Sequence, residues 1–133
     1  MINNNIQEVY CSFEVSKLLK EKGFNVLCPQ GYDTNDLEYQ RFGLPKGIQF
    51  GICSNTKESS VVASTHALAI EWIRVNFGIW ISIIQNEYED KFQYTLVKKE
   101  NNSWYIVDNG KLFNTPQQAT EAALLFTLQN IIQ

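Results

Sequence analysis

Histidine is nearly missing from this 133-residue sequence: His66 stands alone. Cysteine is scarce as well. Cys11, Cys28 and Cys53 are an odd number with no C-x-x-C pair, which argues against a secreted disulfide framework and for reduced thiols in a cytosol. There is no excess of positive charge, with 11 Lys plus Arg against 14 Asp plus Glu, a net charge of -3 and a pI near 5.1. General nucleic-acid binding is not expected, because it draws on clustered Lys and Arg to displace phosphate counterions. Residues 1–63 carry 6 basic and 7 acidic side chains and residues 64–133 carry 5 and 7, so neither half is a charged tail.

Long apolar runs are lacking too. The longest, Phe77 to Ile84, is far short of the roughly 20 residues that a helix needs to cross a bilayer, so no membrane association is expected. The opening MINNNIQEVYCSFEV has neither a basic leader nor an apolar core and does not read as a signal peptide. A cytoplasmic protein is expected, and the Asn101 sequon carries no weight in one.

What is present is 44% hydrophobic and 13% aromatic side chains. At this length folding buries roughly two thirds of the unfolded surface, enough for a core without disulfides or a structural metal. A short helix is expected after Ser12 as N-cap, with Val15, Leu18 and Leu19 on one face, Gly23 as its stop and Phe24 folding back. Asn25 to Cys28 reads as a brief strand ended by Pro29. Residues 29–63 hold most of the glycines and a polar run from Ser54 to Ser60, and read as loop-rich, with a short strand at Ile48 to Cys53.

Beyond Ser64 the pattern sharpens. Ser64 is expected to cap a helix with Leu68, Trp72 and Val75 in a stripe, Ala69 and Ile73 beside it, and Gly78 closing it. Ile79 to Gln85, Phe92 to Lys99 and Ser103 to Asp108 read as an antiparallel meander. Asn109-Gly110 is a primed turn leading to a short fourth strand, Lys111 to Phe113. Thr115-Pro116-Gln117-Gln118 opens the last helix with an N-cap, Pro at N1 and Gln at N3. Its apolar residues wrap so much of the circumference that burial on more than one side is expected. The fold class is therefore α+β: one domain, 1–133, with a three- or four-stranded antiparallel meander flanked by helices in a two-layer arrangement, plus an N-terminal helix and short strand.

Side chains that carry chemistry are few. His66, in the first turn of its helix, is a general base only if a thiol lies beside it, and no second catalytic signature accompanies it. Cys11, Cys28, Cys53 and His66 form a Cys3His inventory whose wide gaps lack the close ligand pairs of structural zinc sites, so no metal and no cofactor is expected. Asp33 to Glu38 fails as a calcium loop, with Leu37 at a ligand position and Glu38 where Gly belongs. Gly43 to Gly47 and Gly47 to Gly51 lack the Walker spacing and read as turns. Glu87, Glu89 and Asp90 cluster in an exposed turn with no cleft around them.

The aromatic residues are the most informative feature. Placing Ile79, Ile81 and Ile83 on one face of the first meander strand leaves Trp80 and Ile84 on the other, so the second sheet face also needs cover. The candidate interaction surface is Trp80, Ile84 and Tyr105. A ligand reading would use Trp72, Trp80, Trp104 and Tyr105 for stacking on a base, with loop amides and Lys46 or Arg74 meeting phosphate.

The stretches Cys11 to Cys28, Ser64 to Ile83 and Thr115 to Ile132 resemble small uncharacterised proteins of gut Bacteroidales and their phages. The resemblance implies a bacterial or phage cytosolic setting and supplies no activity. The expected function is non-catalytic: protein–protein contact, either as a homo-oligomer or with a host or phage factor. The alternative is a small-ligand or nucleotide-signal binder, and third comes a Cys-His hydrolase.

Overall fold

The computed structural model describes residues 2–33, 48–50, 55, 60–107 and 110–132. Among these residues three α-helices and two three-stranded antiparallel sheets make an α+β fold. The elements are α1 (Phe13–Glu21), β1 (Gln30–Asp33), β2 (Ile48–Phe50), β3 (Ser60–Val62), α2 (His66–Phe77), β4 (Ile79–Gln85), β5 (Phe92–Glu100), β6 (Ser103–Val107) and α3 (Pro116–Phe126). A π-helical turn, Thr127–Ile131, continues α3.

Local chemistry sets the helix ends. Ser12 accepts a hydrogen bond from Val15 N–H at 3.2 Å to open α1. At the other end Gly23 has φ +99°, and Phe24 N–H reaches back to the Leu19 carbonyl at 2.9 Å while Gly23 N–H bonds that of Lys20. That is a Schellman closure, and it returns Phe24 to the core beside Leu19. The cap of α2 is Thr65, whose hydroxyl accepts from Leu68 N–H, one residue later than Ser64. The reason is that the Ser64 carbonyl accepts from Cys11 N–H and Tyr10 bridges Thr65, so extended pairing runs one residue further. The stripe also turns: Ala69 and Ile73 are the buried residues of α2, whereas Val75 faces solvent. In α3 the Thr115 hydroxyl accepts from Gln118 N–H, and the Gln118 side chain accepts from Asn114 N–H, one residue before the cap.

The meander, in order β4-β5-β6, follows the predicted strands closely. The fourth strand reduces to one bridge in which Phe92 and Phe113 exchange both hydrogen bonds. The second sheet, in order β2-β1-β3, lies inside the 29–63 segment expected to be loop-rich. Strands of three or four residues are too short for alternation to show. Asn25 to Cys28 is not a strand; the ladder begins after Pro29, at Gln30. Asn55 takes up the neighbouring backbone instead, donating to the Phe24 carbonyl and accepting from Val62 N–H.

Helix α3 is the central element. On one side Ala123 packs with Tyr94 and Leu96 of the meander, and on the other Leu124 and Leu128 join Val15 and Leu19 of α1 and Ala69 and Ile73 of α2. This is the two-sided burial its composition predicts. The hydroxyls of Thr120 and Thr127 bond carbonyls four residues back, which lets them be buried. The small sheet closes the far side, with Tyr32, Val61 and Ala63 packed against Tyr10 and Phe13.

Candidate interface on the outer face of the meander

Register fixes which side chains share the uncovered face. Trp80 pairs with Val97 and Val97 with Ile106, so these three form one row across the sheet. The next row sets Lys99 against Trp104, and the opposite end sets Ile84 against Gln93. Ile79, Ile81 and Ile83 point to the other face, toward α3. Trp80 is 51% exposed, Trp104 59% and Ile106 63%. Ile84 is exposed as well.

Two cations lie on the indoles. The Arg74 guanidinium carbon is 5.0 Å from the Trp80 ring centre, and Lys99 Nζ is 5.6 Å from that of Trp104. Arg74 also forms a forked pair with Glu71. Its hydrogen bonds hold the Glu71 carboxyl below the usual range. The strand residues of this face, Ser82, Gln93 and Thr95 among them, include no carboxylate.

The remaining predicted residues scatter. Tyr105 pairs with Lys98, two residues from the Leu96–Val107 pair, and so stands on the α3 side of the sheet, away from Trp80 and Ile84. Trp72 is a packing residue, edge-on to Phe24 at 5.3 Å and to Phe77 at 5.4 Å. Lys46 lies outside the described residues, as do Cys53, the Gly43 to Gly47 turn and most of Asp33 to Glu38. Among the described residues, Arg74, Trp80 and Trp104 of the proposed ligand contacts share a surface. The Glu87, Glu89, Asp90 turn is exposed and is organised by Asn86, whose side chain accepts from the Tyr88 and Glu89 amides.

A second cluster forms where the three helices meet. Glu121 of α3 takes a hydrogen bond from Ser12 N–H at 2.9 Å on one oxygen, and its other oxygen lies 2.7 Å from His66 Nε2. Burial works to raise this carboxyl, but the bonds from His66 and Ser12 outweigh it and leave it below the ordinary value. Nearby, Tyr32 donates to the Cys11 carbonyl at 2.5 Å, and burial pushes its phenol up. The Cys11 thiol is fully buried, with its sulfur 3.9 Å from the Thr65 carbonyl. Burial, reinforced by the negative charge of Glu121, pushes that thiol well up, which disfavours the nucleophilic thiolate. The partner of His66 is thus a carboxylate and not a thiol. Among the described residues no group of three or more His, Cys, Asp or Glu is placed to hold a metal, and no helix is long and apolar enough to cross a membrane.

Glu121 and Lys99 carry much of this geometry, and neither stands out by motif. Glu121 did leave a signal: it is the sole charged residue between Thr115 and Ile132. By architecture, then, the chain has an α+β fold, and among the described residues the outer face of the meander is open. Comparison with family models, with curated proteins and with solved structures finds no match.

Proposed function

We propose that this chain is a non-catalytic interaction protein whose working surface is the outer face of the meander. The observation that supports it is the joint exposure of Trp80, Trp104 and Ile106 on one sheet face, since contiguous exposed apolar side chains mark binding surfaces and Trp is enriched at energetic hot spots. The fitting partner is a protein segment with apolar anchors and an acidic rim. Lys99 borders the Trp104 indole with no strand carboxylate opposite it, while Arg74 lies over Trp80 with its charge met by Glu71. The occupant proposed is another protein, a host or phage factor, with self-association as the competing outcome. The setting that accords with the resemblance is the cytoplasm of a bacterial cell or phage-infected host. A non-enzymatic role accords with a buried Cys11 and a His66 engaged by Glu121. At this face the nucleotide reading draws support from the cation-bordered indoles, because Trp72 packs against the core.

A photo-reactive phenylalanine analogue at position 106, expressed in the native cell, tests this. Irradiation is expected to give one adduct of defined mass with another protein, and Trp80→Ala is expected to abolish it. An adduct of twice the chain mass would replace the proposal with self-association. No adduct beyond that from a control probe at Tyr88 would overturn the interface.

A further inference from the structure

Tyr105 poses a question that the outer face does not answer. It points to the core side of the sheet, the side α3 covers, yet it is 56% exposed. Beside it lies a cavity of about 460 Å³ between the end of β5, Tyr105 of β6, the start of β4 and the π-helical turn. Buried Ile79 and Ile132 line it, and Lys98, Glu100, Tyr105 and Asn130 supply its polar groups. The volume falls within the range of small-molecule sites, roughly 300–1,000 Å³. The wall at Asn130 and Ile131 belongs to the π turn, a helical irregularity often found at functional positions.

The polar groups are only partly used. The Tyr105 hydroxyl makes no hydrogen bond among the described residues. Asn130 spends one N–H on the Phe126 carbonyl at 3.2 Å, which leaves its carbonyl oxygen and second N–H. Lys98 and Glu100 face each other at 3.0 Å, so their charges cancel while spare donors and acceptors remain. A largely polar lining with aliphatic walls at Ile79 and Ile132, an aromatic ring, an amide that both donates and accepts, and no net charge are complementary to a flat, uncharged molecule with mixed hydrogen-bonding edges. A phosphate would meet Glu100 with no uncompensated cation to offset it.

We propose that this cavity binds an uncharged planar heterocycle of nucleobase or nucleoside size, stacked on Tyr105 with its polar edge toward Asn130 and the Lys98–Glu100 pair. The site is separate from the outer face and does not depend on the interaction reading. The test is an NMR titration of the full-length 15N-labelled chain with adenosine, guanosine, cytidine and uridine, each beside its 5′-monophosphate. At least one nucleoside is expected to shift the Asn130 side-chain amide saturably, with Kd below about 1 mM. Tyr105→Ala, at an exposed position, is expected to keep the melting temperature and weaken that binding at least about fivefold, the lower end of an aromatic stack. Glu100→Gln leaves Lys98 uncompensated and should move preference toward the monophosphate. No saturation by about 5 mM with any of the four would overturn the proposal. So would tighter binding of a monophosphate to the unaltered chain, indifference to Tyr105→Ala, or an unchanged preference in Glu100→Gln.

Discussion

A single carboxylate, Glu121, ties three helices: it sits on α3, accepts from the N-cap residue of α1 and meets the first residue of α2. Glu121→Gln keeps the volume but loses the charge-assisted bonds, and is expected to cost about 1–3 kcal/mol at neutral pH, measured as a shift in urea midpoint. The pH dependence follows in sign. The folded carboxyl titrates below its ordinary value of 4.5, so its contribution is present above that value and is lost as pH falls through the depressed one. The gap between wild type and Glu121→Gln should therefore shrink in acid, and a gap that held constant down to pH about 2 would contradict this account. The sequence does not name the partners of Glu121, because Ser12 and His66 lie 109 and 55 residues away. It does show a lone charge in an apolar helix, and such a charge needs a partner when buried.

Elements were legible wherever the signal was local. The Schellman stop at Gly23 and the Thr115-Pro116 start need only a few consecutive residues, and both stand where the sequence put them. The 3.6 and 2.0 periodicities likewise delivered α2, α3 and the long meander strands. What escaped was long-range pairing. The cap moved from Ser64 to Thr65 because of hydrogen bonds to residues 9–11, and the small sheet joins segments whose separate patterns are nearly silent. Thr115→Ala is expected to cost about 1 kcal/mol in thermal or urea unfolding, the usual worth of an N-cap. Gly78, the left-handed closing residue of α2 at φ +67°, has open space where a Cβ would go. Gly78→Ala should accordingly lose about 1–2 kcal/mol through backbone strain alone.

For the whole molecule, the meander has two unlike faces. One carries Tyr94 and Leu96 into the core and the other holds Trp80, Val97 and Ile106 outward. Stability and recognition should separate along that division. Trp80→Ala is expected to move the unfolding free energy by no more than about 0.5 kcal/mol, as for an exposed site, while costing about 2 kcal/mol or more in affinity for the proposed partner, as for a hot-spot Trp. Calorimetry of unfolding beside the crosslinking yield distinguishes these; a large loss of stability would make Trp80 a structural residue. The sequence foretold the outer Trp80 and Ile84 through alternation alone, but it could not place Tyr105, whose exposure depends on where α3 ends.

The meeting of α1 with α3 has a consequence during synthesis. Val15 and Leu19 are made early, but Leu124, Leu128 and Ile132, which cover them, are made more than a hundred residues later. While the ribosome is still translating the meander, the apolar faces of α1 and α2 lack their lid. The nascent chain therefore carries its greatest exposure of sticky surface just before α3 emerges, and a stall at that point would leave a client for chaperones or proteases.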